Sequence, residues 1–206
     1  MTSAGFTGAQ RPADRHHGRM TDDVAARTDG TESPSTIPHE TKDWTWVLQR
    51  PCPDCGFDTT DHPGAKVPAV LHAATERWSN LLAAPGVEDR PAPDVWSPLE
   101  YLCHVRDVCT LTTGRARRML AEDDPELPSW DQDEAAEQGR YAEQDPALVA
   151  DELADAADEA GALFAAVGPD QWGRPGHRSD GTAFTVETLA QYLVHEVEHH
   201  LHDVRA

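Results

Sequence analysis

The most constraining stretch of this chain is Ser97-Pro98-Leu99-Glu100. Ser stands at an N-cap, Pro at the first helical position, and Glu three residues after the cap. In such a capping box the Ser97 hydroxyl accepts the Glu100 amide while the Glu100 carboxylate reaches back to the Ser97 amide. The helix it starts extends to about Ala121, with Leu102, Val105 and Val108 on its core-facing side. Asp145-Pro146 starts another helix by the same logic. That helix runs to Val167, stops at Gly168-Pro169, and carries Leu148, Val149, Leu153, Ala156, Ala157, Ala160 and Leu163 as one stripe. A third segment, 67–84, places Val70, Leu71, Ala74, Trp78, Leu81 and Leu82 at helical spacing before Pro85-Gly86. A fourth starts after Thr185 as N-cap and continues from Val186 almost to the last residue. Four helices with two short joins and one long one predict an all-α fold, a four-helix bundle with a long crossover between its second and third helices.

The rest of the chain divides around that bundle (67–206). Residues 1–42 are rich in Gly, Thr, Ser, Pro and Asp without apolar periodicity and read as a disordered leader, within which Met20 is an alternative start. Residues 43–66 form an N-terminal extension that holds Trp44, Trp46 and a Cys52-Pro53-Asp54-Cys55-Gly56 turn. No charged region followed by an apolar one marks a secretion signal, which implies a cytoplasmic protein. No apolar run approaches the roughly 20 residues of a membrane span. Asp and Glu outnumber Lys and Arg by 37 to 17, for a net charge of -20. Nucleic-acid and anionic-membrane binding both rest on clustered cations, so both are disfavoured. What remains is a small-molecule substrate and, as a further expectation, a homodimer.

The candidate chemistry is concentrated in histidines. His195 and His199 lie one turn apart on the last helix, so both imidazoles can reach one ion. His202 lies near the same face and is a possible extra ligand or acid-base group. His200 points about 100° away. The string His195-Glu196-Val197-Glu198-His199 matches the H-E-x-x-H protease motif, but those enzymes take a third ligand downstream, and the chain ends seven residues after His199. The third ligand must therefore come from upstream. His104, which interrupts an apolar helix face, is the best candidate, because a buried neutral imidazole needs a partner for its second nitrogen. The alternative is a solvated His-rich helix end favoured by the C-terminal dipole.

Two further constellations remain open. Cys52 and Cys55 make one half of a zinc ribbon and need two more ligands, with His62 or His72 as candidates for a structural zinc; reduced turn cysteines are the alternative. Cys103 and Cys109 do not share a helix face and read as core. In the crossover at 122–144, Trp130, Asp133, Arg140 and Tyr141 are candidates to roof a substrate pocket, with Arg140 able to hold a carboxylate.

The segments from Trp96 to Asp107 and from Leu193 to Asp203, with this helix layout, resemble the DinB/YfiT-like bundles. That family includes the mycothiol-dependent maleylpyruvate isomerase and thiol S-transferase relatives. The resemblance implies a metal triad of His104, His195 and His199. It also implies a divalent metal, zinc before nickel or iron, and thiol-dependent S-transferase or isomerase chemistry with mycothiol as co-substrate. A metal-water hydrolase and a non-catalytic metal-binding bundle are the alternatives.

Overall fold

Each long helix begins where its cap places it. A computed structural model describes residues 37–82 and 84–205; the leader expected over 1–42, with its alternative start at Met20, lies for the most part outside the described residues. The helices are α1 (Val67–Leu82), α2 (Pro98–Ala121), α3 (Gln132–Gln138), α4 (Pro146–Ala165) and α5 (Val186–Asp203). Asp145 caps α4 by accepting the amides of Ala147 and Leu148, and Thr185 caps α5 by accepting that of Thr188. None of the helices is long and apolar enough to cross a membrane.

The bundle is formed by α1, α2, α4 and α5. α4 and α5 each pack against both α1 and α2, so the order around the bundle is α1, α4, α2, α5. Trp78, Leu71, Leu99, Leu102, Leu153, Leu189, Leu193 and Leu201 fill the core. The α4 stripe differs from its expected form at one end. Leu148 is 57% exposed, and Phe164, at 1%, supplies the buried aromatic at the other end.

The joins hold more regular structure than their polarity suggested. The crossover contains α3 and a two-residue strand β1 (Glu126–Leu127), and the loop before α5 contains β2 (Pro175–Arg178) and β3 (Ala183–Thr185). β2 lies in the middle, parallel to β1 with Glu126 opposite His177, and antiparallel to β3 with Pro175 opposite Thr185. Strands this short carry no readable alternation, which is why periodicity missed them. The sheet ties the crossover to the start of α5. Arg174 completes the tie by donating to the carbonyls of Met119 and Glu122, both at 2.6 Å, at the α2 C-terminus, where helix carbonyls lack intrahelical partners.

The capping box at Ser97 is formed as expected. Glu100 N–H donates to Ser97 Oγ at 3.2 Å, and Ser97 N–H donates to Glu100 Oε2 at 2.8 Å. Arg90 adds a two-pronged ion pair, with its Nε 2.8 Å from Glu100 Oε2. Burial opposes the charged carboxylate, but the hydrogen bonds from Arg90 and the Ser97 amide outweigh it and hold Glu100 below the usual 4.5. A carboxylate held low in the folded state contributes stability above its unfolded value, and loses that contribution as pH falls through its folded one. Urea midpoints of the wild type should therefore drop as pH is lowered below about 4.5. Glu100→Gln should flatten that part of the profile, and an unchanged profile would refute the assignment.

Candidate metal centre and pocket

The extension carries its two cysteines to α5. Asp43 caps a 3-10 turn, Trp44–Leu48, by accepting the Thr45 amide at 2.9 Å, and Val47 inside that turn is fully buried. The cysteine turn then closes on itself. Cys52 N–H donates to the Phe57 carbonyl at 2.8 Å, and Gly56 N–H to the Cys52 carbonyl at 2.9 Å. Gly56 has φ +77°, a left-handed conformation that glycine adopts without steric cost. Downstream, the Gln191 side chain on α5 donates to the carbonyls of Thr59 and His62 at 3.2 and 3.1 Å. The extension is thus hydrogen-bonded along the helix it covers.

This docking brings Cys52, Cys55, His195 and His199 together, with one donor atom from each lying within 4.8 Å of all the others. Cys52 Sγ is 3.7 Å from His199 Nδ1. Tetrahedral zinc, with Zn–S of about 2.3 Å and Zn–N of about 2.0 Å, sets that separation near ~3.6 Å. The Cys52–His199 separation is therefore the one a zinc-like ion sets, and the other donors are within its reach. Both His195 nitrogens are buried without a hydrogen-bond partner, a costly state that coordination relieves. Burial pushes His195 down to about 4 and lowers His199 as well, so both rings are neutral at pH 7 and have a lone pair to give. Burial also pushes the Cys55 thiol up to about 12, a proton that a bound cation displaces. Behind the ligands, His199 Nε2 lies 3.8 Å from Asp203 Oδ1, the kind of carboxylate that orients a coordinating imidazole. The Trp44 ring lies over both histidines, at 5.8 Å from His195 and 4.8 Å from His199.

The His104, His195, His199 set expected from the sequence is accordingly divided. His104 meets the adjoining strip of α5, in a second group with Glu196 and His200, and the Glu196 carboxylate also lies 4.0 Å from His195 Nδ1. His104 Nε2 and His200 Nε2 each lie 3.5 Å from Glu196 Oε2, and His200 Nδ1 lies 2.8 Å from Asp203 Oδ2. His200, offset from His199 by one residue, is aimed at α2 rather than away from the site. Burial lowers His104. Burial acts to raise Glu196, but the imidazoles of His104 and His200 hold it well below its usual range. His200 is raised to about 9: burial opposes its charge, and Asp203 and Glu196 prevail.

The remaining candidates fall on both sides of expectation. His62 stacks on Phe57 at 5.0 Å, and His72 is exposed 3.9 Å from Glu76, so neither completes the cysteine site. His202 is exposed, its ring 6.4 Å from that of His199, and it joins neither group. Cys103 and Cys109 are core residues, their thiols pushed up to about 12 by burial. A pocket of about 880 Å³ is lined by both histidine groups, with Trp130 and Asp133 on its wall. Trp130 stacks on His104 at 5.5 Å. Arg140 and Tyr141 are not among the lining residues. Arg140 pairs with Glu143, and Tyr141 is buried with its hydroxyl donating to Asp107. The guanidinium groups on the wall belong to Arg115 and Arg178 instead. Glu196, His200 and Trp44 were not singled out from the sequence. The joining of the two half-sites did have a signal, because a CxxC and an H-x-x-x-H each lack two ligands.

The model of the DinB superfamily matches residues 71–204, well over half of the chain. The chain belongs to the DinB superfamily. The bundle is also similar to YfiT from Bacillus subtilis, described as "a probable metal-dependent hydrolase with an unusual four-helix bundle topology". That likeness has a TM-score of 0.53 and 21% sequence identity, and covers 68% of this chain and 78% of YfiT. It establishes the shared fold. No curated protein matches the sequence. The family match begins at residue 71, so Cys52 and Cys55 lie outside the matched region of this DinB-superfamily chain.

Proposed function

We propose that this protein is a divalent-metal-dependent enzyme acting on a small molecule in the 880 Å³ pocket, with a low-molecular-weight thiol such as mycothiol as co-substrate. The observation that carries this reading is the convergence of Cys52, Cys55, His195 and His199 beside that pocket. Two thiolates offset the charge of a divalent ion and weaken its power to acidify water. The same soft donor set favours exchange with another sulfur ligand. The chemistry such an ion supplies is a lowered thiol pKa.

The protein's own residues divide the remaining work. Four protein donors close a coordination shell, so reaction requires one donor to yield or a fifth to enter. Cys55 is only part-buried whereas Cys52 is 1% exposed, which makes Cys55 the donor better placed to yield. Trp44 shields His195 and His199. Arg115 has a buried Nε without a hydrogen-bond partner, and with Arg178 it suits an anionic group on the substrate.

A second reading, metal-assisted hydrolysis, draws on the likeness to YfiT and its description as a probable metal-dependent hydrolase. The two readings separate in one assay. Metal-loaded protein is given an electrophile with and without mycothiol, beside ester and amide substrates in water. The expected result is thiol-dependent consumption that Cys55→Ser reduces by at least ~100-fold, since even outer-shell changes at metal sites cost about 10–100-fold. Turnover with water alone supports hydrolysis instead. Activity that survives removal of metal by a chelator overturns both.

A further inference from the structure

Taking the pocket as the substrate site proposed above, we infer that its end nearest the start of α5 is a carboxylate subsite, formed by Arg115 of α2 and Arg178 of β2, and that the small molecule is an organic acid. On α2, His104, Val108, Leu111 and Arg115 line the pocket at steps of three and four residues, so they form one strip along the helix. Arg115 closes that strip about 16 Å along the axis from His104. Arg178 lines the pocket from β2, the strand that the sheet ties to the crossover.

Arg115 is held in a state that an anion relieves. Its Nε is buried without a hydrogen-bond partner, and among the described residues it forms no ion pair; its Nη2 donates to a neutral acceptor, the Pro128 carbonyl, at 2.7 Å. Burial, and after it the like charge of Arg178, both act against its protonated form. The chain has 37 acidic residues, so the missing partner is a local feature of the fold and not a shortage of carboxylates. A charged group in that setting is costly unless something pairs with it.

The second guanidinium is already fixed in place. Arg178 pairs with Asp180 at 2.8 Å and donates to Thr182 Oγ1 at 3.0 Å. The Thr182 amide, 2.9 Å from Asp180 Oδ1, is the main cause that holds Asp180 below its usual range, so it stays ionised. Asp43 faces Arg178 without pairing with it. Two guanidiniums and one paired carboxylate leave at most one positive charge for a ligand, which suits a monoanionic carboxylate and not a phosphate dianion. The planar fork of arginine takes a carboxylate on two donors. Tyr192 of α5 is within electrostatic reach of both arginines, and its ring lies 6.4 Å from that of His195. About one helical turn, ~5 Å, therefore separates the acid group from the first histidine of the cysteine centre. The acid is a short one, with its reacting atom a few bonds from the carboxylate.

Calorimetry and saturation-transfer NMR with benzoate and its neutral isostere benzamide test the subsite on the full chain, both zinc-loaded and after chelation. Benzoate should bind at least ~10-fold tighter than benzamide in both states, the size of one charge-assisted pairing. Arg115→Met, which keeps the apolar stem, should remove the preference. Arg178→Met should reduce it as well, and covers the case in which Arg115→Met does not fold. Arg117→Met, at an exposed arginine paired with Glu159, should leave it unchanged. Equal binding of the two probes, or a preference that survives in folded Arg115→Met, overturns the proposal and leaves Arg115 as a tie between α2 and the crossover. A preference lost on chelation also overturns it, because the carboxylate would then sit on the ion. Displacement of benzoate by inorganic phosphate at equal concentration overturns the assignment to a carboxylate. These readouts involve no thiol and no turnover. Thiol-dependent turnover without a benzoate preference sinks the subsite alone, and a benzoate preference without such turnover upholds the subsite and sinks the thiol reading.

Discussion

Cys52→Ser should release the ion held by Cys52, Cys55, His195 and His199 and free the N-terminal extension from α5 in the same step. Cys52 is 1% exposed and sits 147 residues from His199, with its Sγ 3.7 Å from the His199 ring nitrogen. An ion held by these four residues would cross-link the extension to α5. Binding to the folded state alone stabilises by about 4 kcal/mol at a thousandfold excess over Kd. At about 2–4 °C per kcal/mol for a chain of this size, loss of the ion should lower Tm by ~8–16 °C. A chelator should reproduce the shift in the wild type and have little effect on the variant. Limited proteolysis should cut within 44–62 in the variant while α1 to α5 stay protected, since the bundle core is largely built from the helices themselves. His72→Ala, at an exposed histidine outside the site, is the control and should keep full metal content. Equal metal content and Tm in Cys52→Ser and the wild type would mean that no ion is bound there.

Trp78→Ala should cost about 3–5 kcal/mol, near the upper limit for one core truncation. Trp78 lies on α1, is fully buried, and belongs to the core that α1 shares with α4 and α5. Its indole N–H is buried without a hydrogen-bond partner. Trp78→Phe removes that unsatisfied donor and leaves a smaller cavity, so it should cost less than half as much. Against a total of about 5–15 kcal/mol, the alanine variant loses a large share of the stability of the fold. Urea unfolding should show a lowered midpoint at unchanged slope, the signature of a stability change without a change in the surface exposed. A loss below ~1 kcal/mol for Trp78→Ala would show that the site collapses around the gap.

Much of the bundle was legible because helix signals are local. Ser97, Asp145 and Thr185 each cap the helix that the sequence assigned to it, and the bounds of α2 agree with expectation. β1, β2 and β3 were not legible, because two to four residues cannot display a period. Leu148 was placed in the core by spacing alone, and the packing of α4 leaves it outside. Among the crossover residues, Trp130 reached the pocket wall, whereas Tyr141 turned inward to Asp107, a choice that a loop sequence does not encode locally.

The same division holds at the candidate site. The sequence by itself determined that His195 and His199 share a face of one helix, since 3.6 residues per turn fixes that wherever the helix lies. It also determined that Cys52 and Cys55 share one turn, through the spacing of two residues and the glycine that follows. Which residues complete each pair was decided by tertiary structure alone. α5 lies between the extension and α2, so its one face meets the cysteines while the next residue round, His200, meets His104 and Glu196. Helical spacing sets which side chains of α5 can act together. Only the packing of segments more than ninety residues apart in sequence sets which partners they act with.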